Sequence, residues 1–191
     1  MSKLSVEDLK RNSQGLRGSI PEELAAPVDH FSEEAIQLLK FHGVYQQDDR
    51  DARKSARETG AGRDYSCMIR TKSPGGFLPA DFYLGVDKLT DLYGNGTIRV
   101  TTRGALQLHG VLKSNLHEVI HQINEHLGST LAACGDVNRN VMATPFPLQR
   151  PDYVAARAAA FALLTFCSPS ASYPVFLVDF IFIVRFCIFC Y

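Results

Sequence analysis

In GTIRVTTRGALQLHG, residues 96–110, apolar and polar side chains alternate through most of the run. Counted by twos, Ile98, Val100, Leu106 and Leu108 fall on one side, and Arg99, Thr101, Arg103, Gln107 and His109 on the other. Alternation of period two marks a β-strand buried on one face. Two arginines, a glutamine and a histidine on the other face are an unusual load for such a strand. Read as one continuous strand, the segment places the Cα atoms of Arg99 and Arg103 ~13 Å apart at ~3.3 Å per residue. That spacing suits a large planar anion with several carboxylates better than a single phosphate, because a guanidinium fork matches carboxylate geometry and keeps its charge. The competing reading is solvent, since an antiparallel sheet often leaves one face in water.

The neighbouring segments build a layer around this strand. YSCMIRTK, from Tyr65, reads as a strand on which Met68, Arg70 and Lys72 share a face, closed by the turn signal SPGG. Phe82, Val86, Leu89 and Tyr93 recur with helical spacing, and Gly94 follows as a stop. A second helix is predicted from about Leu116 to Leu127, with Leu116, Val119, Ile120, Ile123 and Leu127 on one face. Asn115, with Glu118 three residues on, resembles a capping box at its start. GDVNRNVMATP reads as a third strand and brings Asn138, Arg139 and Asn140 together. The order strand, helix, strand, helix, strand predicts an α+β layer with helices on one sheet face. Three strands that each bring Arg or Lys would then concentrate positive charge on the opposite face.

Residues 1–64 are polar and punctuated, with short helices predicted at Val6–Asn12 and Ser32–Lys40, the second capped by Ser32. FHGVYQQDDRDARKSARETGAGRDY then reads as a long surface segment, in which Tyr45, Gln46, Gln47, Asp48 and Asp49 suit a solvated loop. DDRD alone does not make a metal site, and none is assigned. His109, at a strand end before Gly110, fits a structural hydrogen-bonder as well as a site residue.

An apolar content of 46% in 191 residues is enough to bury a core. Twenty basic and twenty acidic residues cancel, so no global field draws the chain to nucleic acid or an anionic membrane, and any anion site is local. Five cysteines at irregular spacings, Cys67, Cys134, Cys167, Cys187 and Cys190, argue against a secreted disulfide framework and for a reducing compartment. Cys187 and Cys190 form a C-x-x-C without the second pair or histidine that a metal site needs. MSKLSVEDLKRNSQ has alternating charge and no apolar core region, unlike a secretory signal. From Tyr173 to Tyr191 the chain is almost continuously apolar, but Asp179 and Arg185 inside that run weigh against a membrane anchor, at ~2.5–3.5 kcal/mol each near a bilayer centre.

The segments LRGSIPEEL, FHGVYQQDDRD, MIRTKSPGG, GNGTIRVTTR, LQLHGVLKSNL and GDVNRNVMATP together resemble the amino-terminal part of assimilatory sulfite reductase, the siroheme and iron-sulfur hemoprotein related to nitrite reductase. The resemblance runs in order over roughly residues 4–157, and YQQDDRD is on the sulfite side of the family. It implies the six-electron reduction of sulfite to sulfide at a siroheme bridged to a 4Fe-4S cluster, with ferredoxin or a flavoprotein reductase as electron donor. It implies a ferredoxin-like half-domain over 65–130 and the start of the siroheme and cluster domain over 131–158; an irregular amino-terminal segment over 1–64 precedes them, and after about Ala158 the chain leaves the family pattern for a divergent apolar tail over 159–191.

Motif by motif, Arg70, Arg99, Arg103 and Arg139 fall on the family's siroheme or substrate-anion arginines, Arg70 and Arg139 being placed at the sulfite. Gln107, His109 and Asn138 fall beside them in the cofactor pocket. Where the family continues TTRQ, this chain has Gly104, which removes a polar side chain. The cysteines that bind the family's cluster have no counterpart among the five here, so the chain is expected to be inactive alone. A cytoplasmic location is expected, with a plastid as alternative. A second reading is a non-catalytic module that binds a tetrapyrrole or another polyanion through the arginine face, in soluble or tail-anchored form.

Overall fold

Two helices and a sheet form because three separate apolar periodicities converge on one core. The computed structural model describes residues 5–49, 62–126, 128–133, 140–144, 146 and 148–166, together with Arg53 and Glu58. Three short helices come first: α1 (Val6–Asn12), α2 (Ile20–Ala25) and α3 (Glu33–Leu39). They are followed by strand β1 (Val44–Asp48), strand β2 (Tyr65–Arg70), helix α4 (Ala80–Tyr93), strands β3 (Ile98–Val100) and β4 (Leu106–Val111), helix α5 (Leu116–Glu125) and helix α6 (Pro151–Phe166). The sheet is antiparallel throughout, in the order β1-β2-β4-β3.

The expected helices occur where hydrophobic spacing predicts them. Ser32 caps α3, its hydroxyl accepting from the Ala35 N–H at 3.2 Å. Phe82, Val86 and Leu89 of α4 and Leu116, Val119 and Ile123 of α5 pack into one cluster with Cys67, Ile69, Leu106, Leu108 and Val111 of the sheet. Phe31, Ala35, Leu39 and Val44 join the same cluster, so the core runs across the boundary expected at residue 64. Burying a side chain of this size stabilises the fold by roughly 1.5–3 kcal/mol, which explains why the polar amino-terminal segment stays docked.

Several expectations need correction. Residues 96–110 are a hairpin of two strands, with Val100 opposite Leu106, and Arg103 lies in the connection between them. There the Gly104 N–H donates to the Thr101 carbonyl at 3.0 Å, and Gly104 adopts φ +68°, a conformation that costs glycine little. The ~13 Å separation worked for Arg99 and Arg103 on one straight strand therefore does not apply. Val100 is on the apolar face but lies 64% exposed on the edge strand. The segment read as a surface loop contributes β1, and it is β1 that completes the sheet. In GDVNRNVMATP, only an isolated parallel bridge between Gly75 and Met142 forms among the described residues, while Asn138 and Arg139 lie outside them. Asn115 ends a 3-10 turn and makes no side-chain cap, and Glu118 instead accepts from the Gln122 amide.

The ladder between β2 and β4 contains a bulge. Ile69 pairs with Leu108 and Cys67 with Val111, so β4 carries one extra residue at His109–Gly110. Gly110 takes φ +80°, and a Cβ there would sit 3.1 Å from the Asn95 Cβ and 3.2 Å from its nitrogen. Such a bulge re-aims the side chains around it.

Among the described residues, no helix is long and apolar enough to cross a membrane. The run from Tyr173 to Tyr191 and Cys134, Cys167, Cys187 and Cys190 lie outside the described residues.

Candidate functional site

Residues directly opposite in an antiparallel ladder share a face. Arg70 of β2 is opposite Gln107 of β4, and Gln107 is opposite Arg99 of β3. The three form a row across the face away from α4 and α5, with the two arginine Cα atoms about 10 Å apart at ~4.8 Å per strand step. The row is thus assembled laterally, from three strands, rather than along one.

Gln107 is buried, at 6% exposure, in the centre of the row. Its amide orientation follows from the hydrogen-bond network: the oxygen accepts from Arg70 Nε at 2.9 Å and Nη2 at 2.5 Å. A neutral amide therefore orients the guanidinium without cancelling its charge. Among the described residues, none of the ion pairs involves Arg70, Arg99 or Arg103.

His109 stands beside the row on β4. Its Nδ1 meets Gln47 Oε1 of β1 at 3.3 Å. Its Nε2 is buried and has no hydrogen-bond partner among the described residues. Burial, then the charges of Arg99 and Arg70, hold the His109 pKa below the ordinary histidine value. The ring is neutral near pH 7, with one nitrogen engaged and the other without a partner.

Arg103 is anchored through its backbone. Asn140, 8% exposed, donates from Nδ2 to the Arg103 carbonyl at 3.2 Å and accepts at Oδ1 from the Ser73 N–H at 3.1 Å. It ties the loop after β2 to the β3–β4 connection. Lys72 does not extend the row: it lines a groove with Phe77, Gly128, Arg157 and Phe161. Arg139 and Asn138 lie outside the described residues.

Two residues of consequence escape a reading by sequence. Gln47 falls in a charged run, although Val44 and Tyr45 ahead of it are strand formers. Lys113, just past β4, is 6% exposed and donates from Nζ to the Val28 carbonyl at 2.6 Å and to those of Ala26 and His30 at 3.4 Å. It also lies 5.1 Å from the centre of the Phe31 ring.

Cationic forks without acid partners among the described residues, a half-engaged histidine and a buried amide can hold and orient a carboxylate-rich anion. The set offers no nucleophile. Cys67, the described cysteine, is buried in the core, and burial pushes its thiol up to about 12. A thiol so protected from ionisation is a poor metal ligand. No cluster of three or more potential metal ligands occurs among the described residues.

Comparison with known proteins agrees with this architecture. Residues 60–126 match the family described as the nitrite/sulfite reductase ferredoxin-like half domain. The chain is 52% identical over 167 residues to "Sulfite reductase [ferredoxin]" of Synechococcus elongatus, covering 87% of this chain and 26% of the relative. It is 46% identical over 165 residues to the "Sulfite reductase [NADPH] hemoprotein beta-component" of Staphylococcus saprophyticus, covering 86% of this chain and 29% of the relative. In fold it matches the solved structure of the Mycobacterium tuberculosis NirA protein, with a TM-score of 0.69 and 18% identity, over 90% of this chain and 33% of that one. The chain thus spans between a quarter and a third of the length of these relatives. With its half-domain matched in both sequence and fold, the chain belongs to the nitrite/sulfite reductase family through the ferredoxin-like half domain at residues 60–126.

Proposed function

We propose that this chain supplies one wall of the siroheme pocket of a sulfite reductase, the row Arg70–Gln107–Arg99 receiving the carboxylates of the macrocycle and attracting the sulfite anion. The observation that carries this reading is a row of two cations, Arg70 oriented by a neutral amide and neither arginine in an ion pair among the described residues. The fit is supported by His109, whose buried Nε2 without a partner stands on the same face, ready for a polar atom of a ligand.

In this reading Arg99, Arg103, Gln107 and His109 hold cofactor carboxylates, joined by Asn138 and Arg139 on the strength of the resemblance. Arg70, and on the strength of the resemblance Arg139, are assigned to the substrate. Their fixed positive charge favours binding of a dianion and steadies negative charge that builds on departing oxygen. Gln107 keeps Arg70 aimed without lowering its charge. Siroheme and a 4Fe-4S cluster would supply the redox chemistry of the six-electron reduction. On the strength of the resemblance, whose cluster cysteines have no counterpart among the five here, the cluster is assigned to thiolates outside this chain, and the chain alone is expected not to reduce sulfite. The electron donor is assigned as ferredoxin or a flavoprotein reductase on the strength of the resemblance, and the names of its relatives carry ferredoxin and NADPH.

The test is titration of the purified chain with siroheme, followed by absorbance, for wild type and for R70Q and R99Q. Binding that weakens at least tenfold in each variant, as expected for loss of ~1.5–3 kcal/mol from a charge-assisted contact, supports the reading. Affinity unchanged by either substitution overturns it. Sulfide production by the reconstituted chain with a chemical reductant would overturn the assignment of the cluster elsewhere.

A further inference from the structure

The bulge at Gly110 leaves His109 on the polar face, and β1, on the far side of β2, brings Gln47 to its Nδ1. An amide oxygen only accepts, so the contact places the ring proton on Nδ1. A neutral ring then presents Nε2 as a bare acceptor, which matches its lack of a partner in a buried position. A bare acceptor cannot meet a carboxylate; a protonated Nε2 can.

The charges acting on the ring are Arg99 from β3 and Arg70 from β2, while β1 contributes the neutral Gln47 and β4 the neutral Gln107. Both cations oppose protonation in the free chain, and an anion seated on them removes that opposition while offering Nε2–H an acceptor. We infer that Gln47 is a positioning residue that fixes the tautomer of His109, so that the ring takes one proton from solvent onto Nε2 when a polycarboxylate settles on the arginine row. The only bond formed is N–H, and no electrons move. The inference rests on the row being an anion site, as proposed above, and adds to it a coupled proton.

Two measurements on the full chain test it. Long-range proton–nitrogen NMR of the free chain reads the tautomer: wild type shows Nδ1–H, and Q47L loses that preference. A wild-type ring protonated at Nε2, or a Q47L spectrum like wild type, overturns the role of Gln47. Calorimetric titration at about pH 7.5, in buffers of low and high ionisation enthalpy, counts protons as siroheme or pyromellitate binds. Wild type takes up about one proton per anion, and its affinity falls about tenfold per pH unit above the bound-state pKa. Uptake vanishes in H109N. It also falls toward zero in Q47E, where a carboxylate at Nδ1 protonates the ring before the anion arrives; a Gln47 that only braced the strand would leave uptake unchanged. If pyromellitate binds with uptake and siroheme does not bind, the cofactor reading fails and the proton coupling stands. Binding of either anion without uptake overturns the coupling, and binding of neither overturns both.

Discussion

Replacing Lys113 by methionine tests how the amino-terminal segment is held against the half-domain. The ammonium is buried and directed at the carbonyls of Val28, Ala26 and His30, with the Val28 contact at 2.6 Å and the others at 3.4 Å. Only the short contact counts in full, because bonds near 3.4 Å are weak. A carbonyl that loses a charged donor and stays unsatisfied costs ~1–3 kcal/mol. Loss of the cation over the Phe31 ring, 5.1 Å away, adds ~0.5–2 kcal/mol. Relief from burying an ammonium offsets part of this. The net expectation for K113M is a loss of ~2–3 kcal/mol. With a urea slope of ~1–3 kcal/mol per molar, the midpoint falls by about 1 M.

The effect should also reach the candidate site. The Phe31 N–H donates to Gln46 Oε1 at 2.6 Å, and Gln46 precedes the residue that holds His109. Limited proteolysis of K113M should therefore expose the segment around residues 26–31 before the helices unfold. A variant with an unchanged urea midpoint and unchanged cleavage there would refute the clamp, since methionine preserves the apolar stem but cannot donate.

Two further outcomes follow from the bulge and its histidine. G110A should destabilise the chain by ~1–3 kcal/mol, because the site requires φ +80° and the added Cβ meets Asn95 at 3.1 Å; a thermal midpoint equal to wild type would remove the bulge from the account. Because burial and two arginines depress the folded-state pKa of His109, the unfolded chain binds more protons as pH falls through the unfolded histidine value of about 6.5. Wild-type stability should fall from there as pH drops toward the folded-state value, and H109N should flatten that part of the profile; parallel profiles would refute the depression.

The helices were legible because a helix on a core repeats its apolar residues every three or four positions. Phe82, Val86 and Leu89 needed no tertiary information to be placed on one face, and neither did Leu116, Val119 and Ile123. The hairpin was not legible, for a geometric reason. Directly opposed residues such as Val100 and Leu106 are an even number of positions apart, so period-two parity passes through the turn unbroken. A count by twos consequently assigns Arg99, Gln107 and His109 to the correct face while mistaking two short strands for one. The break was marked locally by Gly104 at φ +68° and by Thr101, whose hydroxyl accepts from the Ala105 N–H at 3.0 Å. Strand β1 was hidden by its composition. Edge strands tolerate charge, and Asp48 is held by Arg53 rather than by the core.

The same bulge decides which residues the face can offer. Without an extra residue in β4, alternation from Leu108 would bury Gly110 and turn Val111 out among the polar groups. With it, Val111 returns to the core, fully buried, while His109 stays on the side of Gln107 and Arg99. A single glycine thereby satisfies two demands that strict alternation sets against each other, an apolar underside that continues to the end of the strand and a polar upper face that ends in a histidine. The chain as a whole carries no net charge, so it is this local arrangement, and not its composition, on which the proposed anion site rests.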